Sequence, residues 1–192
     1  MKQTALLIVD FQNDYFSSFT GAKWALSGTE QAAENGVKLL TKCRSQGVPV
    51  FHIRHEAQTM DALFFQPNSE GAKIHASMQP LADEVVITKH QINSFRETDL
   101  HARLQEKGIR RLIVIGAMSH MCIDAAVRAA VDLGYQCDVA FDACATLDLT
   151  FNGITVPAEQ VQAAFMAALQ FAYANVVSTT TLLAEITAIQ PA

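Results

Sequence analysis

Short runs of apolar, largely β-branched residues recur along the chain at 6–9, 48–53, 85–88, 112–115, 137–141 and 176–178. They lack the polar alternation of half-exposed strands, which predicts strands covered on both faces. Between most of them apolar positions recur at helical spacing, over 29–46, 98–107, 121–133 and 157–172. Gly47, Gly108 and Gly134 follow the last periodic residue of their helices, Thr98 can cap the start of its own, and Pro157 suits a first turn. Strands alternating with helices predict an α/β fold. The expected plan is a three-layer, doubly wound, mostly parallel sheet of about six strands with helices on both faces, Rossmann-like. Sites in such sheets gather at the carboxyl ends of the strands. The stretch 54–83 has little periodicity and carries Phe64, Phe65 and Pro67. It reads as an ordered excursion over that edge, a lid or a pocket wall.

At 192 residues, 50% hydrophobic and 17% charged, the chain suits one domain spanning 1–192. A net charge of -5 with scattered lysines and arginines argues against nucleic acid or an anionic membrane and for a small-molecule partner. The apolar start is too short for a secretory signal, so a cytoplasmic location is expected. No charged residue occurs from Gln160 to Ala184, but Gln160, Gln162, Gln170, Asn175 and the hydroxyl run from Ser178 break that stretch too often for a membrane span. A helix so apolar is expected to be covered by its own sheet and by a second subunit, which predicts a homo-oligomer, a dimer or larger. The four cysteines, 43, 122, 137 and 144, show no C-x-x-C spacing and read as free thiols.

Three reactive side chains fall at predicted strand ends. Asp10 closes the first strand, Lys89 the third, and Cys122 follows the fourth after a short loop. A carboxylate at the end of Leu-Leu-Ile-Val calls for a partner, and Lys89 supplies one. Cys122 lies where a helix begins, so its thiol is expected to ionise more easily than a free one. A structural Asp10–Lys89 ion pair with Cys122 as a bystander is the plainer alternative.

The segments Leu7-Ile-Val-Asp10-Phe-Gln-Asn-Asp14, Lys89 through Leu100 and Gly116-Ala-Met-Ser-His-Met-Cys122 together resemble the isochorismatase-like cysteine hydrolases, nicotinamidase-related amidohydrolases among them. The resemblance implies Cys122 as nucleophile, Asp10 as general acid and base, and Lys89 as the cation that holds both. It also implies a non-proline cis peptide at Ala117-Met118, with the N–H groups of Met118 and Cys122 forming an oxyanion hole. The implied reaction is hydrolysis of a carbon–nitrogen bond in a small amide, lactam, carbamoyl or ureido compound, without a cofactor. Tyr15, Trp24, Phe64 and Phe95 are the expected substrate wall.

Two alternatives lie within the resemblance. Isochorismatases proper lack the cysteine, so Cys122 counts against vinyl ether hydrolysis. Nicotinamidases carry an Asp-x-His pair that binds metal, and the corresponding strand end here reads His52-Ile-Arg-His55-Glu56. His52 and His55 could ligate zinc with Glu56 or His75, but no metal is expected. A catalytically silent binder is disfavoured by the intact Asp10, Lys89 and Cys122. A redox protein using Cys137 or Cys144 as resolving thiol is disfavoured by their spacing. His120 neighbours the nucleophile but is expected to point away, leaving Asp10 as the base.

Overall fold

The computed structural model describes residues 3–188. In chain order its elements are β1 (Thr4–Val9), α1 (Thr29–Ser45), β2 (Val50–His55), β3 (Val85–Lys89), α2 (Leu100–Glu106), β4 (Arg111–Ala117), α3 (Asp124–Asp132), β5 (Gln136–Ala145), β6 (Leu149–Phe151), β7 (Ile154–Val156), α4 (Ala158–Ala172), β8 (Asn175–Val177) and α5 (Thr179–Ala188). A six-stranded sheet runs in the order β3-β2-β1-β4-β5-β8, and every pairing in it is parallel. β6 and β7 form a separate antiparallel hairpin.

Alternation along the central strands divides the core in two. Leu6 and Ile8 of β1 join Ile113 and Ile115 of β4 beneath α1 and α5, with Leu39, Leu40 and Leu182 closing that layer. Leu7, Val9, Leu112 and Val114 face the other way, against Leu104 of α2, Val127 of α3 and Leu169 of α4. Because both faces are covered, β1 is buried at all six positions, which is why its sequence reads as a continuous apolar run. Among the described residues no helix is long and apolar enough to cross a membrane.

The structure departs from the sequence pattern in several places. β5 continues to Ala145, past its expected end, because β4 slips register between Val114 and Gly116 and then pairs Gly116 with Cys144. α2 begins at Leu100 with Asp99 in the N-cap position; Thr98 lies one residue earlier, its hydroxyl donating to the Ser94 carbonyl at 2.7 Å and accepting from the Leu100 N–H at 3.4 Å. Pro157 stands just before α4, whose first N–H, that of Ala158, donates to Asp148 Oδ1 at 2.8 Å. The helix expected from 121 opens as a π-helical turn, Ser119–Ile123, and becomes α-helical only at Asp124. The hairpin and α5 have no counterpart in the sequence reading.

Gly116 sets how closely β4 lies on β1. It adopts φ 132°, and a Cβ built on it would fall 1.9 Å from the Val9 carbonyl oxygen. That close approach brings the chain leaving β4 against the chain leaving β1.

Candidate active site

Three strand ends converge at the carboxyl edge of the sheet. Asp10 follows β1 in a left-handed conformation, φ 53°, with its N–H still donating to the Ile53 carbonyl at 3.0 Å. Lys89 ends β3, on the far side of β2, and its long side chain spans the intervening strand. Cys122 occupies the π-helical turn after β4, where the Met118 carbonyl accepts from the N–H groups of Met121 at 3.0 Å and Ile123 at 3.2 Å. The ammonium Nζ of Lys89 lies 2.9 Å from Asp10 Oδ2 and 3.2 Å from Cys122 Sγ. Asp10 and Lys89 are 0% exposed and Cys122 3%. The peptide between Ala117 and Met118, which leads into the turn, is cis.

Burial decides the electrostatics of the thiol. The expected easy ionisation of Cys122 is not what the structure supports. Burial and the facing Asp10 carboxylate push its pKa up to about 12, and the Lys89 ammonium only partly offsets them. The raised pKa favours the neutral thiol over the thiolate, and the sulfur accepts a hydrogen bond from Lys89 Nζ at 3.2 Å. Burial also disfavours the charged form of Lys89, but Asp10 and Cys122 outweigh it and raise its pKa. The arrangement is therefore a protonated lysine against a carboxylate, with a thiol whose proton has an acceptor beside it.

The aromatic residues divide. Tyr15 is buried and packs against Phe64 at 5.5 Å and Phe65 at 4.5 Å, and Trp24 lies 5.2 Å from Phe64. Burial raises the Tyr15 pKa, and the charges of Cys122 and Asp10 add to that. Phe95 stacks at 6.1 Å on Tyr135, the residue before β5, in the core layer that also holds Cys122, whereas Tyr15 lies in the other layer. Tyr15, Trp24 and Phe64 thus cluster with Phe65, which carries φ 52° and is fully buried. Asp14 holds it in place. Its carboxylate accepts from the N–H of Phe65 at 2.7 Å and of Lys23 at 3.1 Å and rests on Gly71, where a Cβ would sit 2.2 Å from Oδ1.

The family model of the isochorismatase domain matches residues 4–181. The chain belongs to the isochorismatase family. It is 53% identical to an uncharacterised isochorismatase family protein, YddQ, of Bacillus subtilis, over 92% of this chain and 96% of that one. A crystal structure from Oleispira antarctica, described as an isochorismatase hydrolase, superposes with a TM-score of 0.93 and 63% identity, covering 95% of this chain and 97% of that one. A more distant relative is the ureidoacrylate amidohydrolase RutB of Acinetobacter baylyi, 26% identical over 74% of this chain and 71% of that protein.

Within this isochorismatase domain the histidines considered as metal ligands do not gather. His52 and His55 sit on opposite faces of β2 by strand alternation. His52 Nε2 contacts Glu84 at 2.9 Å, whereas His55 Nδ1 contacts Lys89 Nζ at 3.1 Å. His75 stacks on Phe16 at 3.7 Å, and Glu56 meets Arg54 at 3.3 Å. Among the described residues no group of three His, Cys, Asp or Glu is placed to hold a metal. His120 turns from the site to contact Thr146 Oγ1 at 2.6 Å. All four cysteines are free and buried.

Sequence reasoning missed the polar support of the site. Gln12, fully buried, clamps the backbone of His55 from both sides: Oε1 accepts from its N–H at 2.8 Å and Nε2 donates to its carbonyl at 2.7 Å. The same Nε2 donates to the Ala72 carbonyl at 2.8 Å. A buried glutamine two residues after Asp10 carries no periodic signal, but a long polar side chain beside a strand-end carboxylate is the feature that marks it.

Proposed function

We propose that this isochorismatase-family hydrolase cleaves a carbon–nitrogen bond in a small amide, lactam, carbamoyl or ureido compound through a thioester on Cys122. The reading is carried by one observation, the dry contact of Lys89 Nζ with both Asp10 Oδ2 at 2.9 Å and Cys122 Sγ at 3.2 Å. A structural ion pair alone would not need a thiol on the same ammonium.

The neutral thiol gives its proton to Asp10 as sulfur attacks the substrate carbonyl carbon, so the thiolate exists only as the new bond forms. Lys89 stays positive and faces whichever of Asp10 and Cys122 carries the negative charge. The N–H groups of Met118 and Cys122 are the donors proposed for the tetrahedral oxyanion. Collapse breaks the carbon–nitrogen bond, and Asp10 returns its proton to the leaving nitrogen. Asp10, a carboxylate again, then takes a proton from water as its oxygen attacks the thioester carbon; the carbon–sulfur bond breaks, Asp10 returns the proton to the departing sulfur, and acid and neutral thiol are released. Tyr15, Trp24, Phe64 and Phe65 offer an apolar wall suited to an uncharged, compact substrate. A thiol is superfluous for vinyl ether cleavage, and the naming of a relative as an amidohydrolase agrees with an amide.

Incubating the protein with panels of small amides, ureides and lactams, and following both ammonia or amine release and intact mass, tests this reading. The expected result is a transient acyl adduct on Cys122 and turnover that Cys122→Ala reduces by about 10³-fold or more. Near wild-type turnover by that variant would overturn it.

We further propose that the protein acts as a homo-oligomer. α4 turns Ala163, Ala164, Ala167, Ala168 and Phe171 outward, Phe171 being 92% exposed, and Phe151 of the hairpin is 85% exposed. An uncharged apolar face of this kind is covered by a second copy. Sedimentation at micromolar concentration is expected to show no monomer.

A further inference from the structure

The surroundings of Lys89 hold more acceptors than an ammonium has protons. Besides Asp10 and Cys122, Nζ lies 3.1 Å from His55 Nδ1, 3.1 Å from the Gln91 carbonyl and 3.3 Å from the Ile92 carbonyl. An ammonium donates three N–H bonds. If two of them serve the carboxylate and the sulfur, the third must be taken up behind the site by this group of neutral acceptors. The two carbonyls belong to the loop that follows Lys89 itself and move with it. His55 does not: it is the register partner of Lys89 across the parallel β2–β3 pairing, so both side chains leave the sheet on the same face, and Gln12 fixes its backbone.

We propose that His55 is a positioning residue: a neutral imidazole, protonated at Nε2, whose Nδ1 takes the rearward N–H of Lys89 and thereby aims the other two at Asp10 and Cys122. The proposal rests on Lys89 serving the thiol, as argued above. Because the ammonium is always the donor, Nδ1 must be bare, which fixes the tautomer. The ring also lies 6.1 Å from Phe65. Lys89, Asp10 and His90 are the charged or titratable groups that act on it, and burial together with Lys89 lowers its pKa. Were His55 protonated, two cations would face each other across the same contact. The ammonium would then swing from its place, so the device fails as the solution becomes acidic.

Site-resolved alkylation of Cys122 by iodoacetamide reads the effect without a substrate. His55→Leu is expected to slow alkylation about tenfold near neutral pH. His55→Asn, whose Oδ1 can replace Nδ1 as acceptor, is expected to restore the rate to within about threefold of wild type. The wild type should also lose reactivity through a step below the ordinary histidine range that His55→Asn lacks. With an active substrate, the loss in His55→Leu should fall on kcat and leave KM in place. Nitrogen NMR of the wild-type imidazole supplies an arm that needs no variant to fold: a proton on Nε2 is expected. A proton on Nδ1, or His55→Leu reacting with the wild-type rate and pH profile, would overturn the proposal. Failure to form an acyl adduct would instead strike the hydrolase reading.

Discussion

β2 carries two histidines three residues apart, and each faces a buried carboxylate on its own side of the sheet. On one side His52 meets Glu84, which also accepts from Arg44 Nε at 2.8 Å, Arg44 Nη2 at 2.8 Å and the Leu81 N–H at 2.9 Å. Despite burial, these donors hold Glu84 at a pKa of about 2. On the other side Asp10 meets the Lys89 ammonium, and neither carboxylate oxygen receives a backbone N–H. The difference is saturation. A carboxylate with four polar partners, one on Oε1 and three on Oε2, is held as an anion and ties α1, β2 and the 79–84 loop together. One left short of donors beside a thiol has room for a proton, which is what acid–base chemistry requires.

Lys89→Met breaks this comparison most severely. It leaves Asp10 buried without its cation, an expected loss of about 3–5 kcal/mol in stability, and it should lower turnover by at least about 10²-fold. Since the ammonium is what lowers the thiol pKa, the pH profile of Cys122 alkylation should move to higher pH. An unchanged profile and melting temperature would make Lys89 structurally idle and end the distinction.

Glu84→Gln probes the other side, with a smaller effect of a different kind. Stability near pH 7 should fall by about 1–3 kcal/mol while turnover per folded molecule stays the same. Glu84 is held at about 2 against an ordinary 4.5, so its stabilisation is complete above 4.5 and is lost as pH falls from there towards 2. The gap between wild type and variant in urea unfolding should therefore narrow at about pH 3. A rate loss as large as that of Lys89→Met would show that the two carboxylates are not functionally distinct.

Exhaustive chelation should have the least effect. His52 and His55 are committed on opposite faces to Glu84 and Lys89, so EDTA is expected to leave turnover unchanged. Loss of turnover with EDTA and recovery with zinc would break the comparison from an unexpected side, by requiring the two histidines to act together.

The two-sided burial of β1 is written in its apolar run, and the strand end at Asp10 follows from it. What sequence patterning could not supply was accessibility. The position of Cys122 after β4 points to an activated thiol, but the side chain there is only 3% exposed, and burial with the Asp10 charge outweighs the Lys89 ammonium. Phe95 and Phe64 look alike as loop aromatics. In the structure Phe95 packs on Tyr135, while Asp14 fastens the 64–65 pair beside Tyr15. Long-range polar ties such as Gln12 to His55, 43 residues apart, leave no local trace.

Gly116 has a consequence for how this protein would be mapped by substitution. The position belongs to a core strand and touches no reacting atom, yet a single methyl there would fall on the Val9 carbonyl, one residue from Asp10, while Cys122 lies a few residues further along the same chain. Relief of that clash has to move β1 and β4 apart, and with them the two halves of the site. A scan that records only activity would count Gly116→Ala as the loss of a chemical group, when what it removes is an empty space that keeps acid and thiol in register.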